Sequence, residues 1–180
     1  MIDGSDGRRD GSGGAPRRDA GRRGGGVVVG IGNPLRGDDA AGIEIARALE
    51  GRATLAGCPV IFAFDTPENH LDVVRKHQPS WVLLIDAANL GERCGESAIV
   101  RMGRGATFAP GTLPSTHRPS LSVLTTYIEK EIGAEVWLLG MQPRNLEPGH
   151  PMSAEVTAGI DAAADLAHSW IQRRPAAMEA

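Results

Sequence analysis

From Val27 onward, short β-branched apolar runs alternate with longer stretches whose apolar residues recur at helical spacing. Val27 to Ile31 predicts a first strand, stopped by the turn residues Gly32-Asn33-Pro34. A helix is expected from Asp39 to Glu50, with Ile45, Ala46 and Leu49 on one face. Val60–Phe64 and Trp81–Ile85 read as strands, the latter with the unbroken apolar run of a central position, and Leu71–His77 as a short helix between them. Ser97–Met102 predicts a further strand, and Gly103–Arg118, rich in glycine and proline and without periodicity, a long loop. A helix over Pro119–Ile132 would bury Leu121, Leu124, Ile128 and Ile132; a strand over Glu135–Met141 follows. A last helix over Ser153–Gln172 would bury Val156, Ile160, Ala163, Ala167 and Trp170. The alternation predicts a three-layer α/β/α sandwich, phosphorylase/hydrolase-like, around a mostly parallel sheet of about five strands.

Composition trims this picture. A chain of 180 residues fits one domain, and a net charge of −3 gives no basic excess for a nucleic-acid backbone. Residues 1–26 are Gly, Arg, Asp and Ser with almost nothing apolar, so they predict a disordered extension before a domain at 27–175. Arginine pairs there suggest a twin-arginine signal, but Val27–Ile31 is too short for its apolar region. No stretch is long and apolar enough to span a bilayer, and Cys58 and Cys94 form no framework, so a cytoplasmic protein is expected.

Three polar segments fall where an open α/β sheet binds ligands, beyond the carboxyl ends of its strands. They are Gly30–Asp39, Asp86-Ala87 and Ser115–Arg118. Two carboxylates and an imidazole from these segments could hold a borderline divalent metal. Plainer readings stand beside that one. Asp38 is placed to be the N-cap of the first helix, leaving Asp39 in the first turn, where the helix dipole favours its charge. Asp86 could cap a turn, although a carboxylate ending so apolar a run needs a partner. A lone loop histidine such as His117 is ordinarily solvated. The third glycine of a dinucleotide-binding loop is missing and there is no Walker lysine, which disfavours NAD and ATP. Ser115 and His117 form no standard triad, and neither cysteine has an electropositive setting.

The landmarks Gly-x-Gly-Asn-x-x-x-x-Asp-Asp at residues 30–39 with Gly42, Thr66-Pro67-Glu68-Asn69, Leu84-Ile85-Asp86-Ala87, Ser115-Thr116-His117, Leu139–Pro143 and Pro151-Met152 occur in this order. In them the chain resembles the hydrogenase maturation endopeptidases, most closely those that process the large subunit of formate-hydrogenlyase hydrogenase. The resemblance implies that Asp39, Asp86 and His117 contact nickel. It also implies that the nickel arrives on the cysteine thiolates of a [NiFe] hydrogenase large-subunit precursor, whose C-terminal tail is then cut. The catalysis implied is aspartic-type or metal-assisted, with Asp39, Asp86 and His117 as the reacting set. The chain departs from relatives after its second strand, where Phe64-Asp65-Thr66-Pro67 lacks paired glycines.

Two other readings share some of these features. Peptidyl-tRNA hydrolases open similarly, but they need an Arg-His-Asn segment soon afterwards, and here no histidine follows until His70. A nickel-sensing chaperone that docks on the large subunit without cutting it would need the same three contacts. A monomer in transient complex with its substrate is expected.

Overall fold

The computed structural model describes residues 24–52, 57–103 and 118–174. Its five strands are β1 (Gly24–Ile31), β2 (Val60–Phe64), β3 (Pro79–Ala87), β4 (Ser97–Arg101) and β5 (Glu135–Met141). They lie in the order β2-β1-β3-β5-β4, parallel except for β4, which pairs antiparallel with β5 at one edge. The helices are α1 (Ala41–Glu50), α2 (Leu71–Lys76), α3 (Arg118–Tyr127) and α4 (Ala154–Gln172).

Strand alternation divides the core in two. Val28, Leu83, Ile85, Leu139 and Met141 face α1 and α4, whereas Val29, Val82, Leu84, Val136 and Leu138 face α2 and α3. This is the expected three-layer sandwich, with near-continuous apolar strands because both sheet faces are covered. Among the described residues no helix is long and apolar enough to cross a membrane.

Several elements differ from the sequence reading. β1 starts at Gly24, three residues before the expected Val27, and pairs Gly24 with Pro79 and Gly26 with Trp81. The glycines give no apolar signal because the Trp81 ring supplies the cover, and a Cβ on Gly26 would lie 2.0 Å from it. The helix expected from Asp39 begins instead as a 3-10 segment, Gly37–Ala40, and becomes α-helical only at Ala41. The helix expected over Pro119–Ile132 widens into a π-helical turn at Ile128–Ile132, closed by Gly133 N–H donating to Ile128 O at 2.8 Å. Periodicity cannot register that change, since Leu121, Leu124 and Ile128 keep one buried face throughout. On α4, Val156, Ala163 and Ala167 are buried as expected, whereas Ile160 and Trp170 are half-buried. The loop expected over Gly103–Arg118 lies, at 104–117, outside the described residues.

Candidate active site

β1 sends the chain through α1 to β2 on one side, while β3 sends it to β4 and β5 on the other. The carboxyl ends of β1 and β3 therefore bound a topological switch point, the crevice where such sheets bind ligands. Asp39 and Asp86 stand on its two sides.

Asp39 follows β1 within the 3-10 segment and is 2 % exposed, and its Oδ2 accepts the Asn33 backbone N–H at 3.0 Å. Asn33 also donates through its side-chain amide to Asp65 at 3.2 Å, linking the ends of β1 and β2. Its Oδ1 accepts the Leu35 N–H at 2.9 Å, a local turn that shapes the loop before Asp39. Asp86 is fully buried near the carboxyl end of β3, in register with Gly140 of β5. Alternation puts it on the face of Val82 and Leu84, the side covered by α2 and α3. The two carboxylate-bearing elements touch through Gly42, in the first turn of α1. A Cβ there would lie 2.1 Å from Ile31 O, 2.4 Å from Ile85 O and 3.0 Å from the Asp86 Cα. Only glycine lets α1 press on both strand ends.

The expectation for Asp38 is overturned. It caps no helix of its own, since the 3-10 segment has Arg36 at its N-cap and no side-chain cap bond. Its buried carboxylate instead accepts four hydrogen bonds from across the chain. Oδ2 takes the Arg144 N–H at 2.7 Å, the Asn145 N–H at 2.9 Å and the Ser153 hydroxyl at 2.9 Å; Oδ1 takes the Ser153 N–H at 2.6 Å. Burial pushes the Asp38 pKa up, but these donors, led by Asn145, outweigh it and hold it below the ordinary aspartate value. The anion also sits at the start of α4, where the helix dipole favours negative charge.

His117, with Ser115 and Thr116, lies outside the described residues. Of the three expected site residues, the structure describes Asp39 and Asp86 and brings them to adjacent strand ends. Burial pushes the Cys58 thiol up to about 12, and burial likewise raises Cys94 against the lowering influence of Arg144. Thiolate nucleophiles are thereby disfavoured. Ser153 and Gln142, whose Oε1 accepts the Leu90 and Gly91 N–H groups, were not singled out by sequence. Gln142 stood inside a landmark motif, but contacts spanning fifty to over a hundred residues leave no spacing signal.

Residues 43–170 match the family model of hydrogenase maturation proteases, a stretch that includes Asp86 and His117 and begins just after Asp39. The chain is 31% identical over 142 residues to a protein of Methanocaldococcus jannaschii named as a hydrogenase maturation protease, covering 75% of this chain and 81% of that one. It is 28% identical over 144 residues to the hydrogenase 3 maturation protease of Escherichia coli, covering 80% of this chain and 89% of that one. The fold is similar to the crystal structure of a [NiFe] hydrogenase maturation protease of Thermococcus kodakarensis, with a TM-score of 0.68 at 24% identity over 86% of this chain and 96% of that one. It also resembles the solution structure of an endopeptidase of Escherichia coli, with a TM-score of 0.65 at 25% identity over 81% and 90% of the two chains.

Proposed function

Because the chain belongs to the hydrogenase maturation protease family, we propose that it is the endopeptidase that removes the C-terminal tail of a nickel-loaded [NiFe] hydrogenase large-subunit precursor in the cytoplasm. The observation that supports this best is the pair of buried carboxylates, Asp39 and Asp86, at the ends of adjacent parallel strands across the switch point.

In this reading the nickel is part of the substrate, held by the precursor's cysteine thiolates. Two carboxylates suit a borderline divalent ion, and an imidazole improves the set. His117 completes it in our reading, since it directly precedes α3 in the chain and α3 lies on the sheet face toward which Asp86 points. Such a set is weak alone and becomes strong only when thiolates supply the remaining ligands, which lets binding report that the precursor is loaded.

The burial of Asp39 and Asp86 gives them what a proton acceptor for an attacking water needs, low water content and fixed geometry. The Asn33 N–H holds one oxygen of Asp39 in place. One of the two carboxylates takes the water's proton as the oxygen attacks the scissile carbonyl, and the proton passes to the departing amine. In a metal-assisted reaction the precursor's nickel also polarises that carbonyl; in an aspartic-type reaction it serves recognition only.

The test is intact-mass analysis of the precursor incubated with this protein, with and without nickel, and with Asp39→Asn, Asp86→Asn and His117→Ala. Loss of the tail only with nickel, and only with the unsubstituted protein, is expected. Cleavage that ignores nickel removes the sensing role. An unchanged mass with a verified cognate precursor would instead favour a nickel-sensing chaperone.

A further inference from the structure

Asp38 has no role in the reaction just described, yet its buried carboxylate accepts four hydrogen bonds. All four of its donors come from residues 144–153. The same segment grips the β1–α1 loop through backbone bonds. Asp38 N–H donates to Asn145 O at 2.9 Å, Gly37 N–H to His150 O at 3.1 Å, and Gly149 N–H to Leu35 O at 2.9 Å. Just upstream, the chain fastens the other side of the crevice. Met141 O accepts the Ala88 N–H at 2.9 Å, and Gln142 Oε1 accepts the Leu90 and Gly91 N–H groups at 2.8 and 3.1 Å. One stretch, 141–153, thus ties together the loop that carries Asp39 and the loop that follows Asp86.

The chemistry of the clamp requires a carboxylate. Three of the four donors are backbone N–H groups that cannot turn away, and they converge on both oxygens. An amide would offer one acceptor oxygen and set its own NH₂ against a donor, leaving buried N–H groups unpaired. Asp38 and Asp39 also share a peptide plane inside a four-residue 3-10 segment. A shift of one is therefore passed to the other.

We infer that Asp38 is a positioning residue, whose carboxylate, clamped by residues 144–153, fixes the backbone from which Asp39 reaches the crevice. The inference rests on the role proposed for Asp39. It gives the landmarks Leu139–Pro143 and Pro151-Met152 a purpose: they frame the segment that forms the clamp.

The test uses the full chain with Asp38→Asn, with Ser153→Ala, which removes one donor and keeps the anion, and with Arg174→Ala as a remote control. All are studied at a temperature where each is fully folded. The Asn33 amide signal in nuclear magnetic resonance reports the Asn33–Asp39 contact, and tail removal from the nickel-loaded precursor gives kcat and KM. Asp38→Asn is expected to move the Asn33 signal and lower kcat about 10- to 100-fold with KM changed less than about two-fold. Ser153→Ala should do the same more weakly, and Arg174→Ala neither. An unmoved Asn33 signal, or a moved signal with full kcat, overturns the inference. If Asp38→Asn does not fold, Ser153→Ala decides on the same two readouts. Asp39→Asn alongside separates the two levels: full cleavage by that variant sinks the role of Asp39 itself, whereas its loss beside full cleavage by Asp38→Asn sinks only the positioning role.

Discussion

At Gly42 the fold and the site depend on one missing methyl group. The position was visible in the sequence as part of a motif, but not its reason, because the atoms it must avoid, Ile31 O and Ile85 O, belong to two other elements. Ile31 is paired to β2 and Ile85 to β1 and β5, so neither oxygen can yield without disturbing the sheet. Gly42→Ala should therefore cost about 3 kcal/mol or more, in the range of other overpacking and backbone shifts. Denaturant unfolding measures it; a loss below about 1 kcal/mol would mean that α1 can lift off the strand ends. The opposite sign is expected at Gln78, an exposed residue just past α2 whose φ of 46° lies in the left-handed region. Gln78→Gly should stabilise the protein by about 1 kcal/mol by relieving that conformation. The glutamine betrays nothing in sequence, where glycine would have announced the turn.

Among the elements, those defined by apolar runs were legible and those defined by distant partners were not. β2 and β5 have the ends their patterns predict, since each run is flanked by turn residues or charge. The start of β1 was hidden because its glycines are covered from outside by Trp81. A chain beginning at Val27 should accordingly have a lower unfolding midpoint than one beginning at Gly24, having lost two strand pairs and bared the Trp81 ring. Equal midpoints would show that these pairs add nothing. The far end of α4 is held by a similar long-range device. The Arg174 guanidinium lies 4.5 Å from the Trp137 ring centre and 4.1 Å from that of Trp170, and it bonds Glu135 at 3.2 Å. The Trp137 indole N–H, with help from Arg174 and Arg101 and against partial burial, holds the Glu135 pKa below the ordinary glutamate value. A depressed folded value means stability that is present above the unfolded pKa and lost as pH falls through the folded one. The midpoint advantage over Glu135→Gln should thus be full near neutrality and fade as the pH falls through and below the ordinary glutamate value. A difference that does not vary over that fall in pH would assign the effect to packing alone.

For the whole molecule, the sheet order sets β1 beside β3 with their connections leaving in opposite directions, and with it the place of the crevice. That is why the segments carrying Asp39 and Asp86 could be set at the crevice from their strands, the resemblance then pointing to the two residues, while the Asp38 clamp, whose partners lie over a hundred residues away, could not be read. The same layout bears on how tightly the free protein should hold nickel. In our reading two carboxylates and one imidazole form half a site, so its dissociation constant alone should be about 1 mM or weaker. At 0.1 mM nickel, binding to the folded state then stabilises it by at most about 0.06 kcal/mol, which no unfolding curve resolves. A complete site with a dissociation constant of about 1 μM would instead add about 2.7 kcal/mol under the same conditions, a shift of several degrees in midpoint. Thermal unfolding with and without nickel, repeated with Asp39→Asn, tells these apart. A null shift fits a protein that reads nickel only on its substrate. A large shift abolished by Asp39→Asn would mean that the protein carries its own metal, and a loaded precursor could not then be distinguished from an empty one.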